Sequence, residues 1–272
     1  MKVISQQLES FNAWESTARR KIIYLRDLLR ELVSRDMKVQ YKNSILGVAW
    51  SLLNPLLQLL VFTFLFRVVM PLNIPNYGTY AFSGLLAWTW FQLSLVQATG
   101  AITAHRELIR RPGFPAAILP AIPVTTNLIN LLLALPLLLI FILLSGGHLN
   151  FAMLGLPLVM GLQFILILSL AYLLATANVL FRDTQHIVAF LLQILLWLTP
   201  VFYLGSRVPG KYQTLYRLNP MLHIVEAYHD LLIYHKVPDY RALTILSAAA
   251  ITTLFGSYSL FVRMRDRLVE EL

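Results

Sequence analysis

Few side chains in this sequence are able to do covalent or metal chemistry, and their spacing is the first constraint. Six histidines stand at 105, 148, 186, 223, 229 and 235. The one grouping that looks like a metal constellation is His223-x-x-Glu226-x-x-His229. Six residues along a helix do not bring two imidazoles onto one face as four residues do, so the grouping reads as a polar helix face and no metal is expected. Cysteine is absent, which removes disulfides, thiolate ligands and a cysteine nucleophile. The sequence contains no G-x-S-x-G, no H-E-x-x-H and no pair of carboxylates inside an apolar stretch. Nor is there a G-x-x-x-x-G-K-[ST], so the chain cannot cradle a nucleoside triphosphate in a P-loop.

What remains is the chemistry of fixed charge and of aromatic surfaces. Residues 1–50 carry nine Lys and Arg; residues 104–121 carry Arg106, Arg110 and Arg111; the 181–185 turn carries Arg182; the tail carries Arg263, Arg265 and Arg267. Residues 71–78 and 145–150 carry none. Cationic loops hold a membrane protein with that side toward the cytoplasm, so both termini are expected there. The 205–241 stretch is the exception, with Arg207, Lys211, Arg217, Lys236 and Arg241 on the opposite side; long loops follow the rule less strictly. Aromatic residues gather at Tyr80, Phe82, Trp88, Trp90 and Phe91 and again around Tyr203. One reading is an interfacial belt. The other is a stacking wall for sugar rings, favoured for Trp88 and Trp90 because they fall in the middle of an apolar stretch.

The elements that must position these groups are membrane helices. Apolar residues make up 58% and charged ones 13% of 272 residues, with mean hydropathy +0.67; a soluble domain is roughly 25% charged. Six stretches approach the ~20 apolar residues a bilayer core requires, at about 46–70, 79–103, 122–145, 151–180, 186–204 and 242–262. The apolar runs are continuous, not alternating, which selects helices over a barrel. The expected fold is therefore an all-α polytopic membrane protein: a cytoplasmic region over 1–45, a six-span domain over 46–262 and a cytoplasmic tail over 263–272. Residues 1–20 lack an apolar core before a small-residue cleavage site, so the first apolar segment is expected to be retained as a span. Before it, Ile22, Leu25, Leu28, Leu29, Leu32 and Val33 recur at helical spacing against Arg26, Asp27, Arg30 and Glu31, the pattern of a helix lying on a membrane surface. Pro55 and Pro200 are expected to kink the first and fifth spans. Arg67 lies near the far end of the first span, where its head can reach the interface. Asn219-Pro220 reads as a helix start, opening a short re-entrant helix before the last span.

Taken in series, these stretches resemble the permease subunit of type-2 ABC transporters that export polysaccharides (O-antigen, capsule and teichoic acid). The resemblance begins with Arg35, Asp36, Lys38, Tyr41, Lys42, Ser44, Leu46, Gly47, Trp50, Asn54 and Pro55. It continues through YAFSGLLAWTWF (80–91), ELIRRPGFPAAILP (107–120), NVLFRDTQHIVAFLLQILLWLTPVFY (178–203) and Asn219-Pro220. Pro112-Gly113 and Arg111 depart from the family's commoner residues, with charge kept. The resemblance implies a non-catalytic subunit of the bacterial inner membrane, present in two copies that enclose a channel. It implies two copies of a separate P-loop subunit that bind the ATP and Mg, leaving this chain without a cofactor, and a lipid-linked glycan as substrate. It further implies that a helix over about 22–42 and a 105–119 element touch the ATPase. Arg35, Asp36, Arg106, Glu107, Arg110, Arg111, Arg182 and Asp183 would then carry coupling, and Tyr80, Phe82, Trp88, Trp90, Phe91 and Tyr203 would line the glycan path. Two alternatives stay open at this point: an exporter of a drug or lipid in the same group, and a membrane enzyme acting on lipid-linked sugars through Glu226 and Asp230.

Overall fold

A computed structural model describes residues 2–40, 42, 44, 47, 49–69 and 74–270, with side chains placed between 19 and 264 except at 51. Tyr41 and Leu46 of the resembling stretch, and residues 70–73, lie outside the described residues. The described chain is helical, with no strand among the described residues. Helix α1 spans Lys2–Gln40, longer than the expected surface helix. Helix α2, Ala49–Phe64, contains Pro55 and runs into a π-helical turn at Leu65–Val69. Then come α3 (Tyr77–Ala104), α4 (Arg106–Ile109), α5 (Ala121–Leu144), α6 (Leu156–Leu180) and α7 (Thr184–Trp197). They are followed by α8 (Gly210–Tyr216), α9 (Pro220–His229) and α10 (Tyr240–Glu270).

Among the described residues, Leu52–Val69, Ala116–Leu144, Phe151–Leu180 and Tyr240–Met264 are long and apolar enough to cross a bilayer. The other two expected spans differ for separate reasons. Helix α3 has the length, at 28 residues, but intersperses Gly, Ser, Thr and Gln among its apolar residues. Helix α7 has 14 residues, about 21 Å at 1.5 Å per residue, against a hydrocarbon core of about 30 Å. It stops because Pro200, which has no N–H to donate, follows Thr199. Pro200 therefore ends this helix instead of kinking it, and residues 198–202 form turns tucked beneath α3.

Helix α3 is the centre of the bundle. Its residues are apolar or small on every side, the signature of a helix buried all round, and nineteen of its residues are buried. It packs against α5, α6, α2, α7 and α9, while α10 covers the far side of α6. Several polar groups inside the bundle are matched by neighbouring helices, since no water is there to serve them, while Ser94 Oγ, Gln163 Oε1 and Tyr228 OH are buried without a partner among the described residues. Gln163 of α6 donates to the Ala87 carbonyl at 2.8 Å and Trp90 donates to the Val124 carbonyl at 3.1 Å. Thr99, Thr125, Thr176 and Thr199 each donate to the carbonyl four residues earlier.

The core divides in two. A large cluster centred on α3 fills the middle of the bundle and the end where α9 docks. A smaller one joins Val33 of α1, Ala101 and Ile102 of α3, Ile109, Leu119, Ile122 of α5, Tyr172 and Val179 of α6 and Phe261 of α10. The small core marks one end of the bundle, the collar, and α8 and α9 mark the other, the cap.

Candidate functional site

All eight charged residues expected to carry coupling lie on segments that meet in the small core. Val33 is 4% exposed and anchors α1, with Leu28, Leu29 and Leu32 partly buried beside it. One turn on, Asp36 accepts a hydrogen bond from the Thr126 hydroxyl at 2.9 Å, tying α1 to the start of α5. Arg35 stays exposed on the other side of α1. On α4 and just after it, Arg106, Glu107, Arg110 and Arg111 are exposed while Ile109 is buried in the core beneath them. The chain then turns through Pro112-Gly113, where Gly113 has φ +80, a left-handed conformation that favours glycine. The segment after the turn is held by the Tyr172 hydroxyl, which donates to the Ala117 carbonyl at 2.8 Å.

Arg182 and Asp183 occupy the turn between α6 and α7 and are exposed. The turn is fixed from both sides: Asn178 Oδ1 accepts from the Gln185 N–H at 3.2 Å, and Thr184 Oγ1 donates to the Phe181 carbonyl at 2.6 Å. The collar therefore presents cations and carboxylates on short, individually pinned segments above one apolar support.

The aromatic set divides. Tyr80, Phe82, Trp88, Trp90 and Phe91 are at most 2% exposed within the single chain, so they pack the bundle's core and do not face an open conduit in this conformation. Trp88 donates to Gln92 Oε1 at 2.9 Å, and the Tyr80 hydroxyl lies 2.8 Å from the Tyr203 carbonyl oxygen and 3.1 Å from that of Pro200. Tyr203 alone of the six remains half-buried, its hydroxyl donating to the Trp197 carbonyl at 2.9 Å and its ring 6.5 Å from that of Tyr216. A sequence signal for the core placement exists: Ala81, Gly84, Ala87, Ala98 and Ala101 are small residues of the kind that let membrane helices approach closely.

The cap end is built on α9. Asn219 is its N-cap, accepting from the Met221 N–H at 3.0 Å while its amide donates to Thr199 Oγ1 at 2.8 Å and to the Leu198 carbonyl at 3.1 Å. The histidines of the His223–His229 grouping part company. His223 donates to the Arg217 carbonyl at 2.9 Å, whereas buried His229 donates to the Tyr80 carbonyl at 3.1 Å with its ring stacked on Tyr80, centroids 3.8 Å apart. Burial pushes the His229 imidazole down to about 3, so it is neutral. Gly84 makes this approach possible, since a Cβ there would lie 3.1 Å from His229 Nε2 and 3.2 Å from Val201 Cα.

Behind α9, a cavity of about 650 Å³ is lined by Tyr216, Arg217, His223, Glu226, Asp230 and Asp239 among others. Burial raises the Glu226 carboxyl above its ordinary range; Asp230 raises it further, while His223 and Arg217 pull it back. Burial likewise raises Asp230, against the pull of Lys236. Arg217 and Asp239 were not legible as members of this group, because they come from separate connections flanking α9.

A helical bundle whose long helices are apolar enough to cross a bilayer is the fold of a membrane protein. Its sequence matches the family described as ABC-2 type transporter over residues 27–233, and the chain belongs to that family. Members of the family work with an ATP-binding subunit. Among curated proteins, the chain is similar to the O-antigen export system permease protein RfbA of Myxococcus xanthus, 38% identical over 255 residues, covering 93% of this chain and 98% of the relative. The O-antigen export system permease protein RfbA of Klebsiella pneumoniae is 29% identical over 250 residues, covering 92% of this chain and 96% of that relative. The polysialic acid transport protein KpsM of Escherichia coli is 23% identical over 234 residues, covering 85% and 90% respectively.

Proposed function

We propose that this chain is the permease subunit of an ATP-driven exporter of lipid-linked polysaccharide, working as a pair of copies with two ATP-binding subunits in the bacterial inner membrane. The observation that carries this is the 38% identity to an O-antigen export permease across nearly the full length of both chains. The collar supports the mechanical part. Helix α1 rests on the ATP-binding subunit, and Arg35, Asp36, Arg106, Glu107, Arg110, Arg111, Arg182 and Asp183 form the coupling surface. ATP and Mg bind to the partner. In this reading α7 together with the turns after it completes the fifth of six crossings, the others being α2, α3, α5, α6 and α10, so that the collar and both termini lie in the cytoplasm and the cap on the opposite side.

The glycan path runs past the partly exposed aromatics around Tyr203, and the buried aromatics of α3 form the rigid wall behind it. The membrane-enzyme alternative loses its ground, since the relatives across most of the chain are permeases and transport proteins. The test is co-expression with a candidate ATP-binding subunit, followed by purification and ATP hydrolysis assays. Stable association and a response of hydrolysis to lipid-linked glycan are expected. Failure of the two chains to associate, or hydrolysis indifferent to the glycan, overturns the proposal.

A further inference from the structure

The largest cavity described, about 870 Å³, has no part in coupling or in the cap. It lies where α2 ends, α3 begins and α5 ends, at the end of the bundle away from the collar. Its volume falls within the range, about 300–1,000 Å³, of cavities that bury a small ligand. Leu56, Leu59, Leu60, Phe66 and Phe141 line its apolar part. Arg67, Asn76, Thr63 and Tyr77 line the rest, with Thr79 and Ser145 hydrogen-bonded to each other at 2.9 Å. No carboxylate is among the described lining residues.

Two of its hydroxyls are unmatched. Thr63 Oγ1 and Tyr77 OH are buried and have no hydrogen-bond partner among the described residues, and Tyr77 as a whole is 5% exposed. Thr63 differs from the helical threonines 99, 125 and 176, which return their hydroxyl proton to the carbonyl four residues back. A hydroxyl left unpaired in a low-dielectric site is costly, so two buried, unpaired hydroxyls on residues that line one cavity beside a guanidinium point to an acceptor that arrives from outside. Beside the cavity, Leu60, Val61, Phe64 and Val68 are exposed apolar residues on the flank of the span, so what arrives comes from the bilayer.

We propose that this cavity binds one anionic phospholipid per chain, its phosphate held by Arg67 with Thr63 and Tyr77 donating, and one acyl chain lying along Leu56, Leu59, Leu60 and Phe141. Guanidinium is suited to phosphate through paired N–H donors, and this depth, near the end of a span, is where headgroups lie. The site is independent of the transported substrate.

The experiment is native mass spectrometry of the purified full-length chain, delipidated and titrated separately with phosphatidylglycerol, phosphatidylcholine and a polyprenyl phosphate. Phosphatidylglycerol is expected to be retained over phosphatidylcholine at one per chain. Arg67→Gln should weaken retention roughly tenfold, the scale of one charge-assisted contact, and Arg67→Lys should restore part of it. Tyr77→Phe and Thr63→Val, which keep the packing, should each weaken it about threefold; Tyr77→Phe decides the matter if Arg67→Gln does not fold. Equal retention of the two phospholipids, no effect of these variants, or preference for polyprenyl phosphate would overturn the proposal. So would a disulfide between two copies carrying Leu60→Cys in this cysteine-free chain, because it would place a second protomer over the cavity.

Discussion

At the collar end, charged side chains stand outside a small apolar core, whereas at the cap end polar groups are drawn inside a large one. Arg35, Arg106, Arg111 and Arg182 are exposed above Val33, Ile109 and Val179. By contrast Asn219 and His229 are buried, each spending its side chain on a neighbouring segment. The difference is one of task. Charges that remain solvated cost little and are free to meet a partner protein. Buried polar groups in a low-dielectric setting are committed to fixed partners and set geometry. The collar thus keeps its charges toward solvent, and the cap commits its polar groups to hydrogen bonds within the chain.

The largest effect is expected in the large core, on the side of α3 that packs against the start of α5. Trp90→Ala removes a ring that is 2% exposed and deletes its bond to the Val124 carbonyl. A loss of about 3 kcal/mol is expected for an aromatic-to-alanine cavity, read as a lower melting temperature in detergent. If export fell while the melting temperature held, the side chain would be doing more than packing.

Asn219→Ala comes next. It removes the α9 cap and the two donor bonds to Thr199 and Leu198, and about 1–2 kcal/mol is expected. Hydrogen exchange should accelerate over residues 220–229 while residues 28–36 of α1 stay unchanged; equal acceleration at both ends would erase the distinction drawn between them. Thr126→Val tests the opposite end. Losing the bond to Asp36 should cost about 1 kcal/mol and loosen α1, seen as faster exchange over 28–36 with the cap unaffected.

The smallest effect is a pH dependence confined to the cap. Glu226 and Asp230 are raised above the 4.5 and 3.8 ordinary for them, chiefly by burial. A raised folded value means their contribution is fully present below those ordinary values and is lost as pH rises through the raised ones. His229 has the opposite sign: with its value depressed to about 3, its contribution is present above 6.5 and lost as pH falls toward 3. Protection of residues 220–234, corrected for intrinsic exchange, should therefore decline on both sides. Glu226→Gln should flatten the alkaline-side decline and leave the acid side intact.

Local chemistry was readable in advance; tertiary placement was not. Asn219-Pro220 announced α9 because a cap and an N1 proline act within three residues. Long apolar runs announced α5 to within a residue at each end, whereas α6 begins five residues later than its run and α10 continues eight residues past it. The run over 186–204 misled, since apolarity says a segment avoids water but not that it is helical, and Pro200 closes α7 early. Pro136, inside α5, drew no expectation at all. The aromatics of α3 were ambiguous because a tryptophan in lipid, in a conduit and in a core looks the same in sequence. Gly84 and the alanines around it carried the deciding signal, since small residues mark a helix crowded from several sides. The collar charges were proposed from the family resemblance together with the basic loops, but the small core beneath them draws on segments of α1, α3, α5, α6 and α10 that only the fold brings together.

The central claim is that the collar docks an ATP-binding subunit. The most direct measurement is pull-down of the co-expressed ATP-binding subunit by chains carrying Arg35→Glu, Arg106→Glu and Arg182→Glu together, with melting temperature recorded on the same samples. Association reduced at least tenfold with the melting temperature unchanged is the predicted result, as expected when several charge-assisted contacts are reversed. Association as strong as that of the unaltered chain would contradict it.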